Sequence, residues 1–123
     1  MWNLMVTGSR SWTDEATINT VLAHLWKSAG CPEQATLIHG GCRGADLIAA
    51  SIVAGRAGWE VREYPADWDG LGKRAGIVRN IQMLDSGPDH VVGFMHRGST
   101  GAFHSLEQAQ RRSIPHTIVL GTA

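Results

Sequence analysis

Ile38-His39-Gly40-Gly41-Cys42-Arg43-Gly44-Ala45-Asp46 is the stretch from which the fold can be read. Before it, residues 35–39 (Ala-Thr-Leu-Ile-His) form an apolar run of strand length. After it, residues 45–57 are rich in Ala, Ile, Leu and Val, as a helix packed on a sheet would be. Glycine lets a backbone turn tightly and approach another group closely. A helix that starts just past such a turn offers N–H groups and a positive dipole end to an anion. The segment therefore reads as strand, phosphate-binding turn and helix, with Gly40, Gly41, Arg43 and Gly44 as ligand contacts. Asp46, in the helix's first turn, suits either the helix dipole or hydrogen bonds from a ribose or base.

Two further glycine clusters follow strand-like runs. Residues 2–7 end at Gly8-Ser9-Arg10, where Ser9 and Arg10 can donate to phosphate. His90-Val91-Val92-Gly93-Phe94 runs into Arg97-Gly98-Ser99-Thr100-Gly101, where Ser99 or Thr100 can both cap a helix and donate to phosphate. Between these clusters, Ile18, Val21, Leu22, Leu25 and Trp26 repeat at helical spacing after a Thr13 or Asp14 cap. Trp59 to Tyr64 alternates as an edge strand does, residues 65–72 read as a loop, and residues 74–84 as a helix with Ile77, Val78, Ile81 and Leu84 on one side. A helix over residues 100–112 and a strand over 114–120 complete the series.

Strands and helices thus alternate β-α-β-α-β-α-β-α-β. Right-handed crossovers then require a parallel sheet with helices on both faces. The expected architecture is one three-layer, Rossmann-like domain over residues 1–123, with a five-stranded parallel sheet in the order 3-2-1-4-5. Ligands in such sheets bind beyond the strand C-terminal ends where the order reverses, here between strands 1 and 4.

The least ordinary stretch is Asp67-Trp68-Asp69-Gly70-Leu71-Gly72-Lys73-Arg74, followed closely by Arg79-Asn80. Trp68 in a polar loop calls for a partner surface such as a base or another subunit. Trp68 or Phe94 would flank a base, with Lys73 and Asn80 as further contacts.

The bulk numbers exclude several classes. With 123 residues the chain fits one domain. Eleven basic residues balance eleven acidic ones, so no global field draws nucleic acid or an anionic membrane. Cys31 and Cys42 make neither a disulfide framework nor a zinc site. The N-terminal apolar run is too short for a signal peptide and no run spans a bilayer, so cytoplasmic residence without membrane contact is expected. No metal site is expected in the protein itself and no cofactor is obligatory; Mg2+ would accompany a polyphosphate ligand.

The chain resembles the SLOG superfamily, a Rossmann-like group that joins the LOG-type phosphoribohydrolases and the SMF/DprA proteins. More narrowly it resembles a bacterial and phage family of single SLOG domains of the YspA/YpsA-related type. Val6-Thr7-Gly8-Ser9-Arg10-Ser11-Trp12, His39 to Asp46, Pro65-Ala66-Asp67-Trp68, Gly72-Lys73, Arg79-Asn80 with Met83, Gly98-Ser99-Thr100 and Ile114-Pro115 carry the likeness. It implies a nucleotide or nucleotide-derived ligand. LOG enzymes cleave the N-glycosidic bond of nucleoside 5′-monophosphates with an Arg and a Glu. Arg79 matches that Arg and Thr100 the signature Thr, but Gly101, Ala102, Phe103 and His104 follow without a carboxylate. LOG-like hydrolysis would then need Asp46, Asp67 or His104. The resemblance thus implies first a binding, sensing or sequestering protein, then a nucleotide hydrolase using Arg79, Asp46 and Asp67. Last comes single-strand DNA binding, which the neutral charge disfavours. It also implies a homodimer, whose surface Trp12, Trp26 and Trp59 would partly line, although burial in the core explains them equally well.

Overall fold

A computed structural model describes the backbone of residues 1–96 and 100–121 and the side chains of residues 1–96 and 103–121. The elements run β1 (Trp2–Gly8), α1 (Glu15–Ser28), β2 (Ala35–His39), α2 (Ala45–Ala54), β3 (Trp59–Glu63), α3 (Trp68–Leu71), α4 (Ala75–Asp85), β4 (His90–Met95), α5 (Thr100–Arg111) and β5 (His116–Leu120). A 3-10 turn, Gly72–Arg74, joins α3 to α4.

The five strands form one parallel sheet in the order β3-β2-β1-β4-β5. Every residue of β2 is buried, as is the centre of β1, because helices cover both faces. On one face Ile18, Leu22 and Leu25 of α1 and Ala45, Ala49 and Val53 of α2 pack on Leu4, Val6, Leu37, Val92 and Phe94. On the other, Met83 and Leu84 of α4 and Leu106 and Ala109 of α5 pack on Met5, Ile38, Val91 and Met95. The edge strands β3 and β5 are largely exposed. Among the described residues no helix is long and apolar enough to cross a membrane.

Asp14 caps α1 by accepting from the Thr17 amide at 3.0 Å. Two expectations are corrected, and the alternative left open for Trp12 is decided. The segment expected to be a loop holds the helical turn α3, capped by Asp67, which accepts from the Gly70 amide at 2.9 Å. In α4 the buried side is Ala75, Arg79, Asn80, Met83 and Leu84, while Ile77 is 48% exposed. Trp12 lies in the core, stacked on His96 with ring centroids 5.1 Å apart and edge-on to Phe94 at 5.5 Å. It is therefore not available to a dimer surface.

Candidate functional site

The turn after β2 is tied to three parts of the chain. Gly44 adopts φ +84°, and a Cβ there would collide with the carbonyls of Ser9 and Arg10. Only glycine lets the β1 and β2 turns touch in this way. The Ala45 amide donates to the Ser9 carbonyl at 3.2 Å, which locks the contact.

Inside the turn, the buried Asp46 carboxylate accepts from the Gly40 amide at 2.9 Å and also from the Cys42 amide. The Gly41 amide donates to His39 Nδ1 at 3.0 Å, which places the imidazole proton on Nε2. Burial pushes the His39 pKa down. The amides of Gly40, Gly41 and Cys42 are thus spent within the protein. Such amides were expected to cradle phosphate; instead they hold the turn rigid.

The guanidinium of Arg79 completes the arrangement. Its Nη1 donates to the Gly40 carbonyl at 2.6 Å, Nε to Asn80 Oδ1 at 2.8 Å and Nη2 to Cys42 Sγ at 3.7 Å. Gly40 carries no Cβ at the place where the guanidinium packs against it. Gly40 is therefore held from both sides, by Asp46 at its amide and by Arg79 at its carbonyl. Five N–H groups are available to an arginine, so two remain for a ligand.

These parts border a cavity of about 510 Å³ lined by Arg10, Gly40 to Arg43, Leu47, Glu63, Pro65, Ala66, Trp68 and Arg79. It sits over the C-terminal ends of β1, β2 and β3, displaced toward the β3 edge from the expected β1–β4 crevice. Three arginines and one glutamate line it, so its field favours an anion. Trp68 is 50% exposed and offers its ring as a wall.

Other expected contacts lie elsewhere. Phe94 is fully buried beneath Trp12 and cannot flank a base. Gly8 packs where a Cβ would strike the Phe94 carbonyl and Ala45, so packing requires it. Ser9 hydrogen-bonds Ser11 Oγ at 2.8 Å, and Ser11 reaches His96 Nδ1 at 2.8 Å, beside β4 and outside the cavity wall. Asp46 and Asn80 brace the site without lining it, Lys73 is exposed nearby, and Asp67 caps α3. Gly98, Ser99 and the Thr100 side chain lie outside the described residues. The sequence reading missed Glu63, and did not foresee that Cys42 Sγ accepts from Arg79. Among the described residues no group of three or more His, Cys, Asp or Glu is placed to hold a metal ion.

Burial pushes the Asp46 carboxyl from 3.8 up to about 6, against the opposing pull of the Gly40 amide and Arg79. The folded chain thus takes up a proton at a pH where the unfolded chain has released it. This group's contribution to stability is full below its ordinary value of 3.8 and is lost as pH rises through about 6. In an NMR titration the Asp46 carboxyl carbon and the Gly40 amide should move together with a midpoint near 6. A midpoint at the ordinary carboxylate value would mean that Asp46 is solvated and does not clamp the turn.

A family model described as the YspA, cpYpsA-related SLOG family matches residues 3–70. Gene 61 protein of Mycobacterium phage D29 is 37% identical over 125 residues, covering 94% of each chain. No solved structure matches.

Proposed function

The chain belongs to the YspA, cpYpsA-related SLOG family, and from that premise we propose that it binds a nucleotide or nucleotide-derived ligand in the cavity above β1, β2 and β3. The observation that carries this reading is the Arg79 guanidinium, fixed under the Gly40–Gly41 turn by three hydrogen bonds and still lining the cavity. A guanidinium held in one plane matches two phosphate oxygens at once and loses little entropy on doing so. Arg10 and Arg43, both exposed at the rim, supply further charge for the phosphate. Trp68 supplies a face for the base.

Binding without turnover, as in a sensor or sequestering protein, is favoured over hydrolysis by what the two expected carboxylates do. Asp46 is spent on the turn's amides and Asp67 on capping α3. Neither lines the cavity, so neither is placed to act on a glycosidic bond.

Isothermal titration against the four ribonucleoside monophosphates and their di- and triphosphates, with and without Mg2+, tests the reading. At least one nucleotide should bind more tightly than inorganic phosphate, and affinity should weaken with added salt. Uniform absence of binding across the panel contradicts it.

A further inference from the structure

Glu63 ends β3, paired in register with His39, and its carboxylate packs against the Gly41 backbone. A Cβ on Gly41 would lie 2.9 Å from both Cδ and Oε1 of Glu63. Among the described residues this carboxylate makes no hydrogen bond and no ion pair, although Arg10, Arg43 and Arg79 line the same cavity. Its charge acts on the His39 imidazole, which burial pushes toward the neutral form. An acid without an ion pair beside an anion site repels the anion, and so weakens binding unless the ligand turns hydrogen-bond donors toward it.

On the proposed nucleotide reading, we infer that Glu63 accepts hydrogen bonds from the 2′- and 3′-hydroxyls of a ribose, and so makes the site selective for ribonucleotides. Two vicinal hydroxyls match the two oxygens of one carboxylate, each donating a charge-assisted bond. The placement fits the covalent order of a nucleotide. Phosphate is held by the arginines around the turn, the base lies toward Trp68, and the sugar falls between them, where Glu63 lies against the turn. A carboxylate there also disfavours a phosphate on the 2′ or 3′ position.

Titration of wild type, Glu63→Gln and Glu63→Ala with AMP, 2′,3′-dideoxy-AMP and inorganic phosphate tests this. Wild type should prefer AMP to the dideoxy analogue by at least about tenfold. Glu63→Ala should erase that preference while binding inorganic phosphate at least as well as wild type, and Glu63→Gln, which keeps shape and one acceptor, should fall between. If wild type binds AMP and its dideoxy analogue alike, or Glu63→Ala keeps the preference, the inference is overturned and the nucleotide site stands. Where another ribonucleotide of the panel binds more tightly than AMP, it and its dideoxy analogue replace the AMP pair; if wild type binds no nucleotide of the panel, the reading of the site falls and the inference with it. Release of adenine from AMP by wild type, with AMP binding by Glu63→Gln unchanged, also overturns it, because the carboxylate would then serve chemistry rather than recognition.

Discussion

Gly44→Ala should lose about 3–5 kcal/mol of folding stability, a large part of the roughly 5–15 kcal/mol typical of a domain. Two effects add. Alanine at φ +84° is strained, and its Cβ would press into the Ser9 and Arg10 carbonyls, which are backbone and cannot move aside cheaply. The Ser9 carbonyl also accepts from the Trp12 and Ala45 amides, so displacing it disturbs the start of α2 and the Trp12 core at once. Urea unfolding followed by circular dichroism measures the loss. Gly55→Ala is the control: its φ is −89° and nothing lies within 4 Å of the new methyl. That variant should be neutral or up to about 1 kcal/mol more stable. Equal effects at the two positions would mean that the β1 and β2 turns are not locked together.

Arg79→Ala should weaken nucleotide binding about 100-fold and also destabilise the fold. The binding loss follows from removing charge-assisted hydrogen bonds, each contributing about 1.5–3 kcal/mol. The folding loss follows from the partners left behind. The Gly40 carbonyl and Asn80 Oδ1 would lose their donor in buried surroundings, at about 1–3 kcal/mol each. Arg79→Lys separates the two roles. Lysine keeps the charge but cannot hold the Gly40 carbonyl, Asn80 and a phosphate in one plane. It should fold more stably than the alanine variant and still bind at least about tenfold more weakly than wild type. Thermal melts and calorimetry read the two effects independently. Wild-type affinity in a folded Arg79→Ala protein would make Arg79 a structural residue only.

The frame of this protein is readable in its sequence because strand length, glycine punctuation and helical spacing agree with one another. Asp14 announces α1, and the alternation of strands and helices implies the parallel sheet, which takes the expected order 3-2-1-4-5. The site is less readable, for identifiable reasons. The apolar spacing of Ile77, Val78, Ile81 and Leu84 hides that α4 buries Arg79 and Asn80 instead of Ile77. A buried arginine satisfied by a carbonyl and an amide looks, one residue at a time, like a solvated one. Glu63 sits in an exposed, alternating edge strand and reads as surface charge; only the packing of β3 beside the β2 turn brings it to the cavity. Gly8 and Gly40 meet the same demand for a missing side chain from opposite causes, core packing in one case and a guanidinium in the other. Nor does a glycine turn before a helix reveal whether its amides are free. Here Asp46 and His39 take them.

At 13.3 kDa the protein suits two-dimensional NMR, and mapping a nucleotide titration onto assigned resonances tests the site most directly. Addition of AMP should shift the amides of Gly40 to Arg43, the Trp68 indole and the Arg79 side-chain Nε–H, and leave Ser9, Ser11 and His96 nearly unmoved. Shifts confined to Ser9, Ser11 and His96, or none at millimolar concentration of AMP or any other nucleotide of the panel, would contradict the assignment of this cavity as the nucleotide site.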